Sequence, residues 1–182
     1  MLINGSFEQG PSTFAGPYPG STVIPGWVVI RGQIDYYPGW QVADGSVSLD
    51  LNGSPGVGGV EQTFVTVPDQ QYLVTFSLAG NPHTHQVYTM TVAAAGQSAD
   101  FSFDNTGYTE VDMGWTTKSW TFTATGTSTT LQMYSTTTAT PLDGPALDNV
   151  SVQAVPEPSA LALLGVSLVG LLVYARRQRR SK

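Results

Sequence analysis

Residues 71–79 read QYLVTFSLA and show the clearest alternation in the chain. Its apolar and polar residues alternate, which is typical of a β-strand with one buried face, because successive side chains of a strand point to opposite sides. The apolar face consists of Tyr72, Val74, Phe76 and Leu78, and the opposite face carries Thr75 and Ser77. The stretch therefore predicts a β-strand that packs one face into a core.

The same alternation recurs on both sides of this strand, between turn signals such as Asn52-Gly53 and Asp143-Gly144. It predicts further strands at residues 27–31, 33–37, 47–51, 62–67, 88–92, 99–103, 120–124, 131–133 and 150–152. No amphipathic helix separates them. We therefore predict one all-β domain over residues 1–153, an antiparallel β-sandwich of the jelly-roll type.

Charge divides the chain sharply. Residues 1–155 contain two basic side chains, Arg31 and Lys118, and twelve acidic ones, a net charge of −10. Nucleic-acid binding is driven by basic side chains that neutralise phosphates, so this composition excludes it as a function. The chain has no cysteine, and the domain must depend on its core instead of disulfides.

The C-terminal tail, residues 154–182, has three parts. Val155, Pro156, Glu157 and Pro158 form a short motif, residues 159–175 carry no charge, and residues 176–182 are rich in arginine. The 17 uncharged residues would form a helix of roughly 26 Å, near the lower limit for crossing a bilayer. Basic residues favour the cytoplasmic side, so we predict a transmembrane helix with the domain outside.

The order of these parts resembles the PEP-CTERM sorting signal of Gram-negative bacteria. The resemblance implies recognition by an exosortase, a membrane-embedded transpeptidase thought to cut near the motif, and association with exopolysaccharide production. The protein would then be anchored in the inner membrane before processing and reach the cell surface or extracellular matrix afterwards. An ordinary C-terminal anchor is the alternative. Residues 1–5 do not resemble a secretory signal peptide, and we expect a leader upstream of Met1.

Six phrases in the domain occur in a recognisable order. They read NGSFE at 4–8, IPGW at 24–27, SLDLNG at 48–53, QTF at 62–64, LAGN at 78–81 and GPALDNV at 144–150. The domain is thereby similar to the choice-of-anchor C family, which is related to plant cell-wall proteins and belongs to the galactose-binding-like β-sandwiches. The resemblance implies a fold that serves both carbohydrate-binding modules and purely structural domains.

The same resemblance implies a structural calcium ion that joins the first strand to the last, with Glu8 and Asp148 among its ligands. Calcium takes six to eight oxygen ligands, which strand ends can supply. Asp148 falls in phase with Val150 and Val152, and we therefore expect it to point towards the core side, where an unpaired charge is costly. The alternative is that both acids are solvated or cap turns.

An aromatic cluster is the candidate carbohydrate site. Tyr36, Tyr37 and Trp40 lie in a turn-rich stretch, where exposed rings could stack on the apolar face of a sugar. Adjacent Tyr36 and Tyr37 point to opposite faces if the chain is extended, so at most one of them joins such a platform. Trp27 is expected in the core.

No catalytic motif is visible in the sequence, and we predict that the protein is not an enzyme. The favoured function is that of an exported cell-envelope protein, processed by an exosortase, that associates with extracellular polysaccharide. The alternative is a structural surface or biofilm-matrix protein with protein partners and no sugar binding.

Overall fold

The computed structural model describes residues 1–54, 56–140 and 142–156. In this part of the chain the regular structure consists of ten strands, each at a position where the alternation predicts one. They are β1 (Val28–Arg31), β2 (Asp35–Tyr37), β3 (Ser48–Asp50), β4 (Gly58–Val65), β5 (Gln71–Gly80), β6 (Val87–Ala94), β7 (Gln97–Asp104), β8 (Thr116–Thr123), β9 (Ser128–Ser135) and β10 (Pro145–Ala154).

The strands form two five-stranded sheets. The first sheet has the order β1-β4-β9-β6-β7 and the second has the order β2-β3-β10-β5-β8. All neighbouring strands pair antiparallel. The predicted antiparallel β-sandwich is therefore confirmed, and β5, the strand predicted from residues 71–79, lies between β10 and β8.

The core lies between the two sheets. Val74 and Leu78 of β5 are fully buried, as are Val60 of β4 and Met133 of β9. Burying a side chain of this size contributes about 1.5–3 kcal/mol. Trp27 is 1% exposed, as expected, and its ring lies 5.3 Å from that of Phe7, which closes one part of the core.

A β-bulge in β10 changes which way Asp148 points. Leu147 pairs with Leu78 and Asp148 with Ser77, but the register shifts before Ser151 pairs with Thr75. Asn149, whose φ is 50°, lies in the bulge. One extra residue in a strand reverses which side chains beyond it face the core. Our expectation for Asp148 was wrong: it shares the outer face of the second sheet with Ser77, although it is fully buried there.

The described chain stops within the sorting motif. The N–H of Val155 donates to the carbonyl of Gln71 (2.9 Å), so the motif begins where the sandwich ends. Glu157, Pro158, the predicted transmembrane helix at 159–175 and the basic segment 176–182 lie outside the described residues. Within the described residues, no helix has the length and apolar character that a membrane span requires.

Candidate functional site

A cavity of about 300 Å³ opens beside β2, the edge strand of the second sheet. Its size is at the lower end of the range for small-molecule sites, roughly 300–1,000 Å³. We call it the aromatic pocket. It is lined by Asp35, Tyr37, Trp40, Asp50, Gly53, Ser54, Asn81, His83, Leu142 and Asp143.

Two rings form one wall of the aromatic pocket. The centroids of Tyr37 and Trp40 lie 4.4 Å apart at an interplanar angle of 43°. The indole N–H of Trp40 donates to the hydroxyl of Ser48 (2.6 Å), which fixes the ring over the sheet. Phe14, which is 55% exposed, meets the Tyr37 ring edge-on at 6.0 Å. Tyr37 is therefore held between two aromatic neighbours.

Tyr36 does not contribute to this wall. It is 1% exposed, and its hydroxyl donates to the carbonyl of Phe7 (2.8 Å). The expected opposition of adjacent side chains explains the difference, because Tyr36 faces the core and Tyr37 faces the pocket. Trp40 is also less exposed than we expected, at 6%, so its ring forms a wall instead of an open platform.

Carboxylates face the same cavity. Asp35 and Asp50 are paired residues on β2 and β3, so their side chains lie on the same face of the sheet. Burial raises the pKa of Asp35 to about 6. Burial also raises the pKa of Asp50 well above its ordinary value, aided by the charges of Asp35 and Asp143 and opposed by hydrogen bonds from Asn52 and Asn81.

Hydrogen bonds hold the polar side of the pocket in place. The amide of Asn81 donates to Asp50 (2.6 Å) and accepts the backbone N–H of His83 (2.9 Å). The His83 ring lies 3.0 Å from Glu110, and the Thr84 hydroxyl donates to Asp143. Asp50 is thus fixed from the loop that also carries His83.

Asp35 differs from Asp50 and Asp143, the other two carboxylates that line the pocket. It is half-buried, and no hydrogen bond to its side chain is formed within the described part of the chain. Burial is the cause of its raised pKa. Asp35 is therefore a half-buried carboxylate in the lining of the cavity that is open to a hydrogen-bond donor of a ligand.

Glu8 and Asp148 hold one turn from two sides. Glu8 accepts hydrogen bonds from Ser46, from both its N–H (2.9 Å) and its hydroxyl (2.7 Å), and from the N–H of Val47 (3.1 Å). Asp148 accepts the N–H groups of Ala43 and Asp44, both at 2.9 Å. The N-terminal segment and the last strand therefore meet at residues 43–47.

The two acids titrate differently. Burial acts to raise the pKa of Glu8, but the hydrogen bonds from Ser46 and Val47 outweigh it, so its pKa lies below the ordinary value. For Asp148 burial dominates, and its pKa is raised to about 6 despite the hydrogen bonds from Asp44, Asn149 and Ala43.

The surroundings of Glu8 and Asp148 suit carboxylates that accept hydrogen bonds better than carboxylates that bind calcium. Each carboxylate accepts three hydrogen bonds, with Asn149 completing the set at Asp148, and the positive ends of those donors face the place where a cation would bind. In the described ranges, no three His, Asp or Glu side chains converge as a metal site. Calcium binding by Glu8 and Asp148 stays a prediction.

Sequence reasoning found part of the pocket. It identified Tyr37 and Trp40, which the structure brings together, and Tyr36, which it turns away. It missed the acidic side, because Asp35 and Asp50 become neighbours only through the register of β2 on β3. The alternation in residues 33–37 places Asp35 on the same face as Tyr37, and this signal could have indicated one of them.

Family models cover nearly the whole chain. The model described as a protein of unknown function, DUF642, matches residues 1–153. The PEP-CTERM protein-sorting motif matches residues 154–180, which indicates an exported protein with its sorting signal at the C-terminus.

One curated relative is far larger than this chain. Halomucin from Haloquadratum walsbyi is 34% identical over 177 residues, which correspond to 92% of this chain and 2% of halomucin. The chain thus spans only a small fraction of the relative that it matches.

Several solved structures share the fold at low sequence identity. TmCBM61 in complex with β-1,4-galactotriose matches with a TM-score of 0.52 and 13% identity, over 85% of this chain and 97% of that one. A family 35 carbohydrate-binding module from Clostridium thermocellum has the same TM-score and identity, over 79% and 100%. An arabinose-bound α-L-arabinofuranosidase, MgGH51, reaches 0.57 at 12% identity, over 84% and 26%. The domain therefore has the fold of carbohydrate-binding modules.

Proposed function

We propose that this chain, which belongs to the DUF642 family of proteins of unknown function, is an exported protein that binds carbohydrate in the aromatic pocket. The match to the sorting motif at residues 154–180 supports export. The fold shared with carbohydrate-binding modules supports the ligand class. The extracellular polysaccharide of the producing cell is the proposed target.

The arrangement of Tyr37 against Trp40 is the observation that carries the proposal. A sugar presents apolar C–H groups to an aromatic ring and hydroxyl groups at its rim. The aromatic pocket offers both complements, since Asp35, Asp50 and Asn81 line it together with the two rings. Its volume of about 300 Å³ suits a single sugar unit or the end of a chain.

We expect Tyr37→Ala to weaken binding of a trisaccharide to the full-length chain at least tenfold, a loss of about 1.4 kcal/mol. Binding would be measured by calorimetry with β-1,4-galactotriose, cellotriose and the β-1,4-linked trisaccharide of glucosamine. Tyr18→Ala is the matched control, because Tyr18 is exposed and is not among the lining residues of the pocket.

The outcomes separate the alternatives. Undiminished binding by the Tyr37 variant would move the site away from the aromatic pocket. Absence of binding to every trisaccharide would contradict the carbohydrate proposal and favour the structural surface protein with protein partners.

We further propose that an exosortase removes the tail near residues 155–158, and that the tail anchors the protein in the inner membrane until then. In cells with an exosortase, the intact mass of the exported protein should lack residues 176–182. Joint replacement of Pro156 and Glu157 by alanine should leave the protein full-length and membrane-bound. A wild-type mass that retains the arginine cluster would contradict processing.

Three finer expectations stay predictions. They are the similarity to the choice-of-anchor C family, the absence of catalytic activity, and the calcium ion at Glu8 and Asp148.

A further inference from the structure

We propose that the aromatic pocket selects a sugar unit that carries a free amino group, such as glucosamine within a de-N-acetylated polysaccharide. This inference rests on the proposed carbohydrate function and names its ligand class. It is carried by the charges around the cavity and by the state of Asp35.

The lining of the pocket is acidic and lacks a compensating cation. Asp35, Asp50 and Asp143 line it, and His83, the one basic lining residue, is engaged with Glu110 at 3.0 Å. The arginine and the lysine of residues 1–155 lie elsewhere. Arg31 sits over the ring of Tyr134 in the first sheet, and Lys118 lies on β8 at the far edge of the second.

An ammonium group complements this acidic lining better than a hydroxyl group does. Asp35 has no donor from the described chain, and a cationic donor would satisfy its hydrogen-bonding capacity and its charge together. Tyr37, next along the same face of β2, can receive the apolar side of the ring and add an attraction between cation and aromatic face. A sugar carboxylate would instead be repelled by the ionised carboxylates of the lining.

A metal ion fits the same carboxylates less well than an ammonium group does. The three carboxylates are distributed around a cavity of about 300 Å³. In the described residues, no three His, Asp or Glu side chains are placed so that they could hold one metal ion together. A cation that needs only one carboxylate partner, such as an ammonium group, therefore fits this lining better.

We expect the full-length chain to bind the β-1,4-linked glucosamine trisaccharide at least tenfold more tightly than its fully N-acetylated counterpart. The two probes share a backbone and differ in the charge and bulk of the amino substituent. Asp35→Asn should reduce the preference to less than threefold and retain the binding of the acetylated form. Glu61→Gln is the matched control, because Glu61 lies in the first sheet and accepts from Gln132 (2.8 Å).

Each outcome bears on one proposal. Equal affinities for the two probes, both lost in Tyr37→Ala, would overturn the amine preference and leave carbohydrate binding intact. A preference that Glu61→Gln reduces as much as Asp35→Asn would show unspecific attraction to an acidic domain and would also overturn the inference. Failure of both probes and of the neutral trisaccharides would overturn the carbohydrate proposal itself.

Discussion

The sandwich should be more stable at pH 5 than at pH 8. Burial raises the pKa values of Asp35 and Asp148 to about 6 from 3.8, and it also raises that of Asp50 well above its ordinary value. The folded state therefore holds these protons more tightly than the unfolded state does. The stability that protonation supplies is complete below about pH 4 and is lost as the pH rises through 6 and above.

The size of the effect follows from the shifts. One pKa unit corresponds to about 1.4 kcal/mol, and Asp148 alone should contribute about 1.4 kcal/mol between pH 5 and pH 8. Asp35 contributes less, because it is partly exposed to solvent, and Asp50 adds to the sum. From Asp148 and Asp35 together we expect the free energy of unfolding to be about 2 kcal/mol greater at pH 5, with a Tm higher by roughly 4–8 °C, and Asp50 acts in the same direction.

Glu8 does not cancel this trend. Its pKa is lowered, so the stability that it contributes is present above about pH 4.5 and is lost only in stronger acid. Thermal melts of the full-length chain between pH 5 and pH 8 measure the slope. Asp148→Asn and Asp35→Asn should each flatten it, and a Tm that falls from pH 8 to pH 5 would contradict the assignment.

Calcium enters the same experiment, because a bound cation would favour the ionised carboxylates of Glu8 and Asp148. The calcium prediction requires that, at pH 8, millimolar calcium raises the Tm by several degrees above its value in chelator. Glu8→Gln and Asp148→Asn should both abolish that response. Identical wild-type melts would remove calcium and leave hydrogen bonding to residues 43–47 as the role of the two acids.

The strands could be predicted because each has one face in the core. In β5 the requirement to bury Val74, Phe76 and Leu78 imposes the alternation that the sequence displays. Asp148 was misplaced because its bulge depends on a single residue with positive φ, Asn149, which leaves no periodic signal. The alternation of apolar and polar residues therefore predicts which side chains face the core only where the strand pairing has no bulge.

The pocket could be predicted only in part for a related reason. Tyr37 and Trp40 are close in sequence, and their aromatic character is visible without a structure. Asp50 and Asn81 are brought together by strand pairing and loop packing over 31 positions, at 2.6 Å. A single sequence carries no information on such contacts, so Asp50 and Asn81 could be assigned to the pocket only from the structure.

Gly5→Ala should unfold the junction between the two ends of the domain. The carbonyl of Gly5 accepts the N–H of Val150 (2.8 Å), and a Cβ at Gly5 would overlap the carbonyl oxygen of Val150. Both partners are backbone atoms beside the β10 bulge, so no side-chain rotation relieves the overlap. The N-terminal segment would have to leave β10, and the first phrase of the domain would separate from the last.

That separation would disturb buried groups. Phe7 is fully buried against Trp27, whose indole N–H donates to the carbonyl of Asn4 (2.9 Å), and the Phe7 carbonyl accepts the hydroxyl of Tyr36. We therefore expect Gly5→Ala to cost about 3 kcal/mol or more, a fall in Tm of roughly 10 °C. Thermal and denaturant unfolding of the full-length chain would measure it.

Gly126→Ala is the matched control for the loss of a glycine. The nearest atom to a Cβ there is the carbonyl oxygen of Ser128 at 3.8 Å, an ordinary contact, and its φ does not lie in the left-handed region. Its stability should stay within about 1 kcal/mol of the wild type. If Gly5→Ala melted within about 2 °C of the wild type, a shift of less than 1 kcal/mol, the N-terminal segment could not be packed on β10 as described. The junction that holds Glu8 near Asp148 would then need a different explanation.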